Sequence, residues 1–170
     1  AELEVQKTYF AELFESAPEA IVVVDHDDVI LDVNGEFTRM FGYTVEEAVG
    51  SAAMDLIAPD ELRGEAHDIT RRVSRGESVS IETERQRKDG TRLDVSLLCR
   101  PIHVGGESSA AYGIYRDITE RRRTEKGLRF LAEAGRVLAS SLDYEETLRG
   151  LARLAVPDVA DFCLIDILDE

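Results

Sequence analysis

The chain has 170 residues, 44% of them apolar, enough for one packed domain and a further piece and too many for a disordered chain. Twenty basic against 35 acidic residues give a formal charge of −15, a surface that repels nucleic-acid phosphates and anionic lipid headgroups. No apolar run approaches the ~20 residues of a membrane span, and the acidic start Ala1–Phe10 is not a signal peptide. A cytoplasmic protein without nucleic-acid or membrane partners is the expectation. Cys99 and Cys163 sit in apolar, strand-like runs and read as two buried thiols, not a disulfide framework.

Phe10, Leu13, Phe14 and Ala17, with Leu3 on the same face, predict an amphipathic helix over residues 1–17 that Pro18 ends. Ala20–Val24 is a β-branched strand, the Asp25–Asp28 cluster a turn, and Val29–Val33 the returning strand. Ile21–Val24 is apolar throughout, so both faces of that strand are expected to be covered, the outer one by the N-terminal helix. Asn34 caps a short helix carrying Phe37, Met40 and Phe41, which Gly42 ends. Thr44 caps Val45–Val49, and Ala53–Ile57 is a further turn. Pro59 opens a longer helix from Asp60 to about Arg75, stopped by Gly76.

Val79, Ile81 and Thr83 alternate with polar residues in a half-buried strand. Asp89-Gly90 marks a hairpin with a primed turn, Leu93, Val95 and Leu97 alternate in the return, Gly105-Gly106 is a loop, and Ala110–Ile118 is the last strand. The order predicts an α+β domain of roughly a hundred residues. Asp117 and Glu120 form a capping-box pattern that starts a helix to Leu142. Leu128, Leu131, Gly135, Leu138 and Leu142 make its heptad seam. A helix from Asp143 and a strand Phe162–Leu168 complete the chain.

Leu13-Phe-Glu-Ser-Ala-Pro18, Val33-Asn34, Phe41-Gly42-Tyr43, Ile57-Ala-Pro-Asp60, Arg87-Lys-Asp-Gly-Thr91 and Arg116-Asp-Ile-Thr-Glu-Arg121 follow one another in an order and spacing that resemble a PAS domain. The resemblance implies a five-stranded antiparallel sheet with short helices on one face, a flanking helix before it and a long linker helix after it. Ala139-Ser-Ser-Leu-Asp143, Leu151–Pro157 and Ala160-Asp-Phe-Cys163 resemble the start of a GAF domain. The expected organisation is a flanking helix over 1–17, a PAS domain over 18–119, a linker helix over 120–142 and a truncated GAF start over 143–170. The family resemblance implies a sensory module that dimerises and relays a signal to a histidine kinase or Ser/Thr phosphatase, as in two-component systems.

No catalytic constellation and no metal site is read: the three histidines, His26, His67 and His103, fall in a turn, on a helix and at a strand end. Asp25, Asp27 and Asp28 lack the ligand spacing of a calcium loop and read as a turn. The light-sensing PAS subgroup carries a reactive Cys where this chain has Ala53, so adduct chemistry with a flavin is excluded. No cofactor is expected. Haem through His67, near the axial position of oxygen-sensing PAS domains, or a small apolar metabolite, is the alternative. Val23, Met40, Met54, Leu56, Ile57, Ile69, Val73, Val95, Leu97 and Ile114 are the residues expected to gather on the inner face, as filled core or as a ligand pocket. Asp117, Ile118 and Thr119 are the expected coupling joint. Leu128, Leu131, Leu138 and Leu142, with the flanking helix, are expected to form a homodimer contact.

Overall fold

The computed structural model describes residues 2–104 and 107–140, together with 148–150, 152, 153, 156, 162 and 163. The chain divides into two compact units, residues 1–119 and 120–170. In the first, α1 (Glu2–Glu15) precedes the pair β1 (Ala20–Val24) and β2 (Ile30–Val33). Three short helices follow, α2 (Gly35–Phe41), α3 (Val45–Ala48) and α4 (Ala53–Ile57). A single 3-10 turn over Asp60–Leu62 then leads into α5 (Arg63–Ser74). The strands β3 (Val79–Gln86), β4 (Arg92–Val104) and β5 (Glu107–Asp117) form a meander, and α6 spans Thr119–Ser140. The five strands make one antiparallel sheet in the order β2-β1-β5-β4-β3.

Strand alternation assigns the faces. The inner face carries Ala20, Val22 and Val24 from β1, Val79, Thr83 and Arg85 from β3, Leu93, Val95 and Leu97 from β4, and Tyr115 from β5, all buried. Phe37, Met40 and Phe41 of α2, Ala53 and Ile57 of α4, and Ile69 and Val73 of α5 pack in the same core. Phe41 stands edge-on to Tyr115, ring centroids 5.3 Å apart. Phe37 and Phe41 are fully buried, and each contributes about 1.5–3 kcal/mol by burial.

Asn34 pins the front of the domain. It is wholly buried, and its Oδ1 accepts from Ile21 N (2.9 Å) and Phe37 N (3.0 Å). Its amide nitrogen donates to Phe14 O and Glu19 O, both at 3.0 Å. One side chain therefore ties the end of α1, the start of β1 and the N-terminus of α2. Thr44 and Glu47 form a reciprocal capping box on α3. Gly76, at φ +90°, closes the turn after α5. At the β3–β4 hairpin only Gly90 has positive φ (86°), and its N–H bonds Arg87 O. The hairpin is thus a turn followed by a left-handed glycine, not the primed turn that Asp89-Gly90 suggested.

The expectation for α1 fails. The helix forms, but none of its residues is buried, and Leu3, Val5, Tyr9, Phe10 and Leu13 are exposed. On the outer sheet face Ile21, Val23 and Ile114 are half-buried, and α1 meets that face at a groove beside Asp32 of β2. In the second unit, Leu128 and Leu131 of α6 are 63% and 65% exposed. The Leu138 side chain and Leu142 lie outside the described residues, as does most of the predicted GAF start. Residues 148–150, 152, 153 and 156 are helical. Phe162 and Cys163 are exposed and not in a strand, so Cys163 is not a buried thiol.

Candidate functional site

Between the inner face of the sheet and helices α4 and α5 lies a cavity of about 60 Å³. Its apolar wall comes from Val22, Val24, Ala53, Met54, Ile57, Ile69, Val73 and Leu97. Gly113 leaves room on β5: a Cβ there would come within 3.2 Å of Val22 Cγ1 and 3.4 Å of the Tyr115 ring. Asp25 and His26, on the β1–β2 turn, reach the same cavity.

The polar part of the lining is specific. Arg85, 2% exposed, presents its guanidinium from the end of β3. Its Nη1 donates to Glu84 O (2.7 Å), to Glu65 Oε1 on α5 (3.2 Å) and to Thr83 Oγ1 (3.3 Å). A buried cation costs several kcal/mol unless it is paired, and Glu65 supplies that partner. Asp28, 8% exposed, holds a left-handed backbone (φ 66°) that aspartate tolerates. Its Oδ2 accepts from Met54 N (2.8 Å), and its Oδ1 faces Thr70 Oγ1 at 3.4 Å.

Burial raises the Asp28 carboxyl above the usual carboxylate range, assisted by Asp55 and Asp25 and opposed by the bonds from Met54 and Thr70. Burial likewise pushes the Cys99 thiol up to about 12, so it stays protonated and is no nucleophile. The Tyr115 phenol is also pushed up by burial. Among the described residues no group of three or more His, Cys, Asp or Glu is placed to hold a metal ion.

Of the ten residues expected on the inner face, Met54, Ile57, Ile69, Val73 and Leu97 line the cavity. Met40 and Val95 are core residues away from it, and Leu56 packs against the core part-buried. Val23 and Ile114 point to the opposite face, because it is Val22 and Val24 that face inward in β1, and Tyr115, not Ile114, in β5. His67 is exposed on α5 and is not part of the cavity wall, so its ring gives a haem no axial position in the core. Ala53 stands in the wall and carries no thiol. The sequence reading missed Arg85, Asp28, Thr70, Cys99 and Tyr115. Arg85 was findable, since it continues the Val79-Ile81-Thr83 alternation.

The exit from the sheet is the second part of the site. Ile118 is buried, and its N–H bonds Asp94 O on β4 (2.9 Å). Thr119 Oγ1 accepts from Asp94 N (3.0 Å), so β4 grips the corner from both sides of one residue. Asp117 Oδ1 accepts from Thr119 N (2.9 Å), an Asx bond that orders the first turn of α6. Asp117 Oδ2 pairs with Arg87 Nη2 (3.3 Å), and Arg87 Nη1 donates to Met40 O at the end of α2. Lys88 N bonds Phe41 O (2.9 Å) beside it. The three expected coupling residues thus share one polar knot with the hairpin and α2.

Comparison with known proteins agrees with this layout. Sensor protein FixL of Bradyrhizobium diazoefficiens is 28% identical over 134 residues, 76% of this chain and 26% of FixL. A blue-light photoreceptor of Listeria monocytogenes is 31% identical over 93 residues, 55% of this chain and 37% of that protein. The chain therefore spans well under half the length of these curated relatives. The solved PAS domain of an HTR-like protein from Haloarcula marismortui matches with a TM-score of 0.59 at 27% identity, over 69% of this chain and 95% of that one. The PAS-fold family profile matches residues 14–123, a span holding the whole sheet, its inner helices and the Asp117–Thr119 corner, and the chain belongs to that family.

Proposed function

We propose that this chain is the sensory module of a longer signalling protein, in which the state of the inner cavity is relayed through the exit corner into α6. The observation that carries this reading is the double grip of Asp94 on Ile118 and Thr119. A helix start bonded to a central strand by two backbone groups follows any shift of that strand. The sensor-type relatives support a signalling parent. A kinase or phosphatase output, a GAF domain opening in residues 143–170 and a homodimer through α6 belong to the same proposal. The exposed Leu128 and Leu131 favour the dimer, because such side chains on one helix face invite a second helix.

The relay is tested by joining α6, in heptad register, to the dimerisation helix of a histidine-kinase output. Thr119→Val removes the hydroxyl that Asp94 N bonds and keeps the side-chain volume. Kinase activity should change in that variant while the melting temperature of the sheet holds. An output indifferent to the substitution would sink the relay. For the dimer, Leu131→Asp should lower the mass seen by light scattering, since it puts a charge on the seam. An unchanged mass removes α6 from the interface.

A further inference from the structure

We propose that the inner cavity binds a short-chain carboxylate anion, its carboxylate on the Arg85 guanidinium and its alkyl end against Ile69, Val73 and Leu97. This rests on reading the cavity as the sensing site.

Size sets the first limit. A cavity of about 60 Å³ holds roughly four to six water-sized groups, at the ~10–15 Å³ each requires. That suits acetate or propionate. It is far below the ~300–1,000 Å³ of sites that take drug-sized ligands, so a ring system does not enter without displacing the wall.

Charge and donors set the second. Arg85 is a cavity-lining group held out of water, and a guanidinium never loses its charge in a protein. Its bonds to Glu65, Thr83 and Glu84 all leave Nη1. A guanidinium has five N–H donors in a planar fork, and the fork matches a carboxylate. Glu65 compensates the cation from the half-buried side of α5. Glu65 is not part of the pocket lining, whereas Arg85 and Tyr115 both are, and the Tyr115 hydroxyl that hydrogen-bonds the guanidinium marks the side on which an occupant meets the fork.

The rest of the wall fits the other end of such a molecule. Ile57, Ile69, Val73 and Leu97 are apolar and buried, and they shield an alkyl group of one or two carbons. Asp28, the acid that shares the cavity, is held by Met54 N and Thr70 on the α4–α5 side. Burial raises its carboxyl above the usual carboxylate range, and its two oxygens are turned to Met54 N and Thr70, not to Arg85.

The test is a methyl NMR titration of the full chain with sodium propionate, against sodium chloride at matched ionic strength, propionamide and hexanoate. Saturable shifts at the Ile69, Val73 and Leu97 methyls are expected with propionate, at millimolar concentration or below. Hexanoate, too long for the cavity, and propionamide, which lacks the charge, should bind at least tenfold more weakly. Arg85→Met keeps an apolar stem and should abolish the propionate shifts, with the wild-type titration standing alone if that variant misfolds. Equal response to propionamide, or no saturable shift at these methyls, overturns the proposal. The relay fails separately: if propionate binds while the amides of residues 117–123 stay unmoved, the ligand class stands and the signalling route does not.

Discussion

Asp117→Ala isolates the corner from the sheet. The substitution removes the Asx bond to Thr119 N and the pair with Arg87. A cap-type bond of this kind contributes about 0.5–2 kcal/mol. The ion pair adds little, because its side chains are 32% and 38% exposed and pairs so wetted are worth about 0–1 kcal/mol. The loss should come to about 1–2 kcal/mol. Asp117→Asn keeps an acceptor for Thr119 N and drops only the charge, so it should cost less than half as much. Urea denaturation supplies both free energies. Hydrogen exchange supplies the location: amides of residues 119–123 should exchange faster, while Val95 and Leu97, whose strand bonds are untouched, keep their protection. Exchange rising evenly across the sheet would refute the corner as a local joint. An Asn variant as costly as the Ala variant would show that the charge, not the Asx bond, holds the helix start.

Asn34→Ala should lower stability by about 3–5 kcal/mol in a urea titration, because it strands two N–H and two C=O groups around a buried position; a loss below ~1 kcal/mol would mean that water replaces the side chain. Asp28 gives a pH signature. Its carboxyl is raised in the folded state, so the native protein holds that proton more tightly than the unfolded chain does. Its effect on stability therefore worsens as pH rises from the ordinary carboxylate value through the raised one. Asp28→Asn keeps an acceptor for Met54 N and removes this titration. It should raise the melting temperature near neutral pH and have less effect in acid. An equal gain at both pH values, or a loss at neutral pH, would refute it.

How far the sequence reached is clearest in β1 and α1. The run Ile21–Val24 is apolar at every position, so nothing in it fixes which residues face inward. The phase comes from outside the strand, where Asn34 Oδ1 takes Ile21 N and β5 sets the opposite register. That is why the pattern puts Val23 on the wrong face, while Leu97, in a strand that alternates with polar residues, falls on the right one. The amphipathic pattern of α1 is real, but a pattern names a face and not what covers it. Arg85 was passed over for a different reason. Charged residues in strands are normally read toward water, and its partner Glu65 stands twenty residues away on another element. The caps at Asn34 and Thr44 were legible because their bonds are local. The other bonds of Asn34 and the grip of Asp94 are long-range, and no local rule reveals them.

The two halves of the site meet at the end of β3. Arg85 is its cavity-facing cation, and Arg87, two residues on, is the cation of the exit corner. At ~3.3 Å per residue their Cα atoms stand about 6–7 Å apart along one extended segment. Arg85 is tied to α5 through Glu65, and Arg87 to α2 through Met40 O and to the corner through Asp117. In the proposed relay, an occupant that draws the Arg85 guanidinium pulls on the same short stretch that carries Arg87. The Arg87–Asp117 contact, at 3.3 Å and partly exposed, is the longest bond in that chain. Its loss would leave the start of α6 held by the Asp117 bond to Thr119 N and by the Asp94 contacts with Ile118 and Thr119.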